Sequence, residues 1–132
     1  MLKKKCFAIN TYDQFKELIE LGIDFDKKLI IYIDNYLIKG FGVIWLSTLI
    51  KLIKKNHSKL KVKFYIDAGD DPGLSILIMR EKIDYIKLKS NKVILDKINQ
   101  IAKKNKVLLN PNFDVVDLTK IKNIQKKLQI KL

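Results

Sequence analysis

Four carboxylates stand where a chain of alternating strands and helices keeps its working groups. Asp34 closes the apolar run Leu29 to Ile33, and Asp67 closes the alternating run Lys61 to Ile66. Asp70 and Asp71 follow in the turn Asp67-Ala68-Gly69-Asp70-Asp71-Pro72-Gly73. Ligands of open α/β sheets collect at the carboxyl ends of the strands, and hard oxygen donors suit Mg2+, which takes one or two carboxylates with water and phosphate. Asp34, Asp67, Asp70 and Asp71 are thus candidate residues for a Mg2+-dependent phosphoryl or nucleotide site. Asp34 and Asp67 could share an ion only from adjacent strands, because next-but-one strands lie about 10 Å apart. A purely structural role is the competing reading: Asp71 caps a helix, Asp70 shapes the turn, and Asp67 is a solvated strand end.

Other catalytic signatures are missing. His57 is the only histidine and follows Lys54, Lys55 and Asn56 at an expected helix end, where an imidazole interacts favourably with the carbonyl pole. Cys6 is the only cysteine, which excludes an internal disulfide and a multi-thiolate metal site and suits a small apolar residue of the first strand. Ser47 and Ser75 fall inside expected helices with no base nearby in sequence, and no phosphate-binding glycine loop or nucleophile elbow is present. The residues read as those of a non-enzymatic module without a cofactor, the Mg2+ site being the alternative.

The elements that would position these groups alternate regularly. Cys6 to Asn10 reads as a strand, and Thr11 with Gln14 as a capping box opening a helix that buries Phe15, Leu18 and Ile19 and stops at Gly22. Leu29 to Ile33 is apolar on both faces, the pattern of a central strand covered by helices on both sides. After a loop containing Gly40, Phe41 to Lys55 has Val43, Leu46, Ile50 and Ile53 at helical spacing, while Trp45, Leu49 and Leu52 widen the stripe. Such a helix is deeply buried or touches a partner, and deep burial is the simpler expectation. Asp71 and Pro72 open the next helix, Tyr85 to Lys89 is a short strand, and Ser90 caps a helix burying Ile94, Ile98 and Ile101. Lys106 to Leu109 is a further strand, and Asp117 to Leu132 a basic amphipathic helix. The expected fold is α/β: one domain over residues 1–132, with a single mostly parallel sheet of four to five strands flanked by four to five helices.

The chain has 132 residues, is 48% hydrophobic and carries a formal charge of +13. Clustered cations bind nucleic acid by releasing counterions. Only Arg80 among the 27 basic residues is an arginine, however, and the lysines are spread along the whole chain. With arginine, the residue suited to bidentate phosphate contacts, nearly absent, a solvated basic surface is expected, and nucleic acid is a partner that is not favoured. The longest apolar stretch, Phe41 to Ile53, is interrupted by Gly42, Ser47, Thr48 and Lys51 and falls short of the ~20 residues of a membrane span. No transmembrane segment is expected, and the amino terminus reaches Asn10 and Asp13 too early for an export signal, so a cytoplasmic protein is expected.

The order of elements from Cys6 to Lys104 resembles that of STAS domains of anti-sigma factor antagonists. The resemblance is carried by Thr11 to Leu21, the strand Leu29 to Asp34, the stretch Leu37-Ile38-Lys39-Gly40-Phe41-Gly42, and Ile83-Asp84-Tyr85-Ile86 before the Ser90 helix. It implies a switch module that binds a protein partner. That family's phosphorylated serine would fall in Lys39 to Gly42, which holds no hydroxyl; the resemblance therefore implies docking without phosphorylation. With the catalytic set missing and the helix Phe41 to Ile53 broadly apolar, the docking surface is expected to centre on Gly40, Phe41, Gly42 and Val43 with the acidic loop beside them. The chain is also similar, more weakly, to flavodoxin-like receiver domains of two-component systems, with Asp67, Ser90 and Asn110-Pro111 in comparable places. The acidic pair that would hold Mg2+ there is replaced by Ile9 and Asn10, and the lysine by Asn110.

Overall fold

Leu29–Ile33 (β2) has no charged residue to offer water, and all five of its side chains are buried at the centre of a six-stranded sheet. The computed structural model describes residues 4–20 and 29–120. The expected stop at Gly22 and residues 121–132 of the expected terminal helix lie outside them. Lys5–Ala8 (β1) and Val62–Asp67 (β3) flank β2, and Tyr85–Lys87 (β4) and Leu108–Leu109 (β5) extend the sheet beyond β3. Asp114–Asp117 (β6) pairs with the free side of β1, giving the order β5-β4-β3-β2-β1-β6 with every pair parallel. The fold class is the α/β one expected, with one strand more than the sequence showed. Asp114–Asp117 was hidden because its two adjacent valines lie between aspartates, too short a run to show alternation, and it corrects the expected helix start at Asp117.

Among the described residues four helices connect the strands: Tyr12–Glu20 (α1), Asn35–Asn56 (α2), Pro72–Met79 (α3) and Lys92–Lys104 (α4). Because β1 to β5 are neighbours in chain order, right-handed crossovers place successive helices on the same face. Phe15 and Leu18 of α1, Leu46, Ile50 and Ile53 of α2, Ile78 of α3 and Ile98 of α4 all join the core built on Ile31, Ile33, Phe64, Ile66 and Ile86. The opposite face carries Cys6, Ala8, Ile30, Tyr32 and Tyr65, packed with Tyr85 and Phe113 and with no residue of the described helices. Among the described residues, helices cover β2 on one side and not on both as expected; its second face lines the inside of a curved sheet. The order is also not the 2-1-3-4-5 of flavodoxin-like sheets; it is the winding of a segment of a (β/α) barrel.

Curvature follows from chain length. Laid flat, the edges β5 and β6 would stand about 24 Å apart, but Leu109 to Asp114 can span at most about 18 Å. The sheet must curl, and the connection crosses its concave side. Phe113 sits there with its ring 4.8 Å from Tyr85 and 5.6 Å from Tyr65, both edge-on.

Cap chemistry set most helix starts. Thr11 Oγ1 accepts from Gln14 N at 3.1 Å, the first half of the expected capping box; the Gln14 side chain reaches one residue further back than that motif requires and accepts from Asn10 N instead of the N–H of Thr11. Asp71 caps α3 through Leu74 N at 3.0 Å. Helix α4 is capped by Asn91, not Ser90, through Ile94 N at 2.9 Å. Helix α2 starts at Asn35 rather than Phe41, since Asp34 accepts from Tyr36 N at 3.1 Å and is itself a cap. The loop expected around Gly40 is instead a break within α2 at Gly42, whose φ of 89° and ψ of 172° belong to a region open essentially to glycine alone. By length and mean hydropathy α2 could span a membrane, yet Leu37, Ile38, Leu46, Leu49, Ile50 and Ile53 bind it into the core. His57 ends it, donating its backbone N–H to Ile53 O at 3.0 Å, with Tyr12 Oη 3.0 Å from its Nε2.

Candidate functional site

The repeated Tyr-Ile-Asp strand ends lie side by side: Tyr32 is in register with Tyr65 and Ile33 with Ile66, so Asp34 and Asp67 leave adjacent strands at the same edge. This juxtaposition, the condition for a shared ion, is met. The carboxylates are nevertheless committed elsewhere. Asp67 accepts the Tyr32 hydroxyl at 2.9 Å on Oδ2 and Gly69 N at 2.8 Å on Oδ1. Asp34 and Asp71 cap α2 and α3, and Asp70 projects from the turn into solvent. Among the described residues, no group of three or more Asp, Glu, His or Cys is placed to hold a metal ion. The four-aspartate set therefore does not converge: two of its members are consumed by helix caps, and a cap holds its carboxylate against backbone N–H groups. Asn35 fixes the loop further, donating from Nδ2 to Asp67 O at 3.1 Å, so close to Gly69 that a Cβ there would meet Asn35 Oδ1 at 2.7 Å. Millimolar Mg2+, with or without nucleotide, is expected to leave the melting temperature unchanged in a thermal-shift assay. A rise that Asp67→Asn abolishes would restore the metal site.

The docking residues fare differently. Asn10, Thr11 and Tyr12 on one side and Tyr36, Phe41, Trp45, Thr48 and Leu52 on the other enclose a groove of about 500 Å³ between α1 and α2. Leu37 and Leu49 form its floor, and the Tyr36 hydroxyl donates to Asn10 Oδ1 at 2.6 Å at one end. Phe41 lies 5.4 Å from Trp45, ring centre to ring centre. Deep burial of this helix is corrected: Phe41 is 66% exposed and Ile44 84% exposed, because a single-sided layer can bury one stripe of α2 and leaves the other to solvent. Of Gly40, Phe41, Gly42 and Val43, only Phe41 lines the groove. Gly42 breaks the helix next to it, Gly40 is exposed, and Val43 is partly buried against the core. Tyr36, Asn10 and Tyr12 were not foreseen. The signal for Tyr36 was the cap at Asp34, which fixes the first turn of α2 and so the direction of its side chains.

No protein-family model matches the chain, and no curated protein sequence does. Among solved structures it is similar to a proposed fructose-1,6-biphosphate aldolase from Coccidioides immitis, with a TM-score of 0.62 and 9% identity over 82% of this chain. The chain spans 45% of the length of that structure. At such low identity the likeness concerns the fold, and it agrees with the barrel-segment winding of the sheet.

Proposed function

We propose that this chain is a non-enzymatic interaction module whose α1–α2 groove takes an apolar anchor of a protein partner. The observation that carries this reading is the set Tyr36, Phe41, Ile44 and Leu52, large side chains left exposed on a helix whose other face is core, with the partly buried Trp45 lining the groove between Phe41 and Leu52. Aromatic residues around a groove of this volume are the usual make-up of a hot spot. Asp34, Asp70 and Asp71 stand beside the first turn of α2 on an otherwise basic protein, so the partner segment that fits combines apolar anchors with basic flanks. The STAS resemblance supports the same place, since Lys39 to Gly42 falls at the break of α2.

The only tryptophan of the chain, Trp45, lines the groove and serves as the probe. Peptides selected from a displayed library for binding to the protein are expected to shift Trp45 emission to the blue as they fill the groove. Phe41→Asp is expected to weaken that binding at least ~30-fold, in line with about 2 kcal/mol for a hot-spot side chain, while leaving the circular dichroism spectrum unchanged. Selected peptides that leave Trp45 emission unmoved, or bind the Phe41→Asp protein as well, would place the docking surface elsewhere.

A further inference from the structure

Lysines scattered in sequence are not scattered in space. In an all-parallel sheet every helix ends, and every following strand begins, at the amino edge, so residues from successive αβ connections meet there. Connection α2–β3 brings Lys51, Lys54, Lys55, Lys59 and Lys61, all exposed. Connection α3–β4 adds Arg80 and Lys82, and α4–β5 adds Lys103, Lys104 and Lys106, exposed as well. Two neighbouring depressions of about 340 and 430 Å³ share Lys54, one reaching Lys61 and Lys63, the other Lys51, Arg80 and Lys82 with the single carboxylate of Glu81 among them. Lys54 Nζ donates to Lys82 O at 3.2 Å, joining the two, and Leu108 N donates to Asp84 O at 3.0 Å, which sets the third connection beside the second. Lysines that are spread along the sequence are thus gathered at one edge by this topology.

Two features set this edge apart from a merely solvated surface. Lys63 pairs with Asp84 at 3.4 Å, but Lys51, Lys55, Lys59, Lys61 and Arg80 have no carboxylate partner among the described residues. In addition, Lys82 and Lys106 hold left-handed backbone, with φ of 57° and 59°, three residues after the end of α3 and two after the end of α4. Lysine is a poor occupant of that conformation, which glycine and asparagine tolerate, and this chain uses asparagine for it at Asn110, φ 51°. A composition that merely drifted toward lysine had asparagine available at both positions. Backbone strain kept in place at a binding surface is the pattern such outliers indicate.

We propose that the amino edge of the sheet, from Lys51 through Arg80 and Lys82 to Lys106, binds the phosphate backbone of double-helical nucleic acid. Among the described residues no large aromatic side chain is exposed along these three connections, so they offer unpaired bases no stacking platform, and ammonium groups act on phosphates as point charges without reading sequence. Single strands, which depend on aromatic platforms, are the weaker ligand.

The test measures fluorescence anisotropy of labelled mixed-sequence duplex and single strand against salt, using the full chain. Lys51→Gln, Lys55→Gln and Arg80→Gln together are expected to weaken duplex binding at least ~10-fold at low salt and to lower the log–log salt slope by about 3, one for each phosphate that the variant no longer neutralises. Lys82→Asn with Lys106→Asn is expected to raise the melting temperature and still weaken binding, a combination that a folding defect cannot produce. Lys87→Gln, Lys89→Gln and Lys92→Gln, removing equal charge at the opposite edge, should change affinity less than ~3-fold. Equal losses in the two triple variants would reduce the effect to net charge and overturn the proposal. So would no duplex binding at low salt, or anionic vesicles bound through the same residues in preference to duplex.

Discussion

Phe64→Ala is expected to remove about 3–5 kcal/mol of folding stability, the range for deleting a fully buried aromatic side chain. Phe64 occupies the middle of β3, is wholly excluded from solvent, and lies between Ile31 of β2 and the helical layer. Lys54 of α2 holds its ammonium 5.6 Å from the ring centre, so the side chain is gripped from the helix side as well. The backbone around it is fully engaged: Phe64 N donates to Asp84 Oδ2 at 3.0 Å, and Asp84 N donates to Phe64 O at 3.1 Å. These bonds hold β3 and the start of β4 in place, so the cavity cannot close by backbone movement, and the cost belongs near the upper part of the range. Domains of this kind have about 5–15 kcal/mol in all, so the substitution takes a large share. Urea unfolding followed by circular dichroism measures it, with an unchanged m value. A loss below ~1 kcal/mol, less than a fully packed phenyl ring can account for, would mean that α2 does not pack on β3 as described.

Stability is also expected to fall steeply as the solution becomes alkaline, because the concave face of the sheet is lined with weak acids held neutral. Burial pushes the Cys6 thiol from 9.0 up to about 12 and the Tyr65 phenol from 10.0 up to about 12. Burial, with the Asp67 carboxylate beside its hydroxyl, drives Tyr32 further above the ordinary phenol range. Well below pH 9 all three groups are protonated in folded and unfolded chains alike, and they impose no slope. Above their unfolded values the unfolded chain releases protons that the folded chain retains, so the unfolded state binds fewer protons and stability decreases with pH. Each retained proton contributes about 1.4 kcal/mol per pH unit. The Cys6 window runs from pH 9 to about 12 and that of Tyr65 from pH 10 to about 12, while Tyr32 acts from pH 10 upward. Urea midpoints between pH 7 and pH 11 should be level to about pH 9 and then drop with increasing slope; Cys6→Ala should remove the earliest part of the drop, and Tyr32→Phe part of the later one. A profile flat to about pH 11 would show that the concave face is open to water.

Much of the architecture was legible in residue order. Strand–helix alternation, the capping box at Thr11 and Gln14, the Asp71-Pro72 start of α3 and the apolar β2 each rest on interactions within a few residues, so local pattern sufficed. The break in α2 was not legible. Gly40 and Gly42 together resemble a loop, and only the Asp34 cap, acting with packing of Leu37 and Ile38 in the core, extends the helix back to Asn35. At the candidate site the sequence pointed to Phe41, but the groove also needs Asn10 and Tyr12, which β1 and α1 bring from a distant part of the chain. The aspartates show the opposite case. Their types suited a metal, whereas only the tertiary structure gives them their hydrogen-bond partners, Tyr32, Gly69 and the helix N-termini, and brings no three acidic residues together among the described ones.

The sequence by itself determined an α/β chain with carboxylates at strand ends, an apolar α2 broader than one layer can cover, and a large excess of lysine. Only the tertiary structure decided that β1 to β5 run in consecutive order with β6 beside β1, with all described helices on one face and a curled, tyrosine-lined face opposite. The physical reason is that helical and strand periods are written in side-chain spacing, whereas sheet order depends on pairings between residues far apart in the chain. That same order leaves one stripe of α2 exposed and gathers dispersed lysines along the amino edge, two surfaces that no local pattern could reveal.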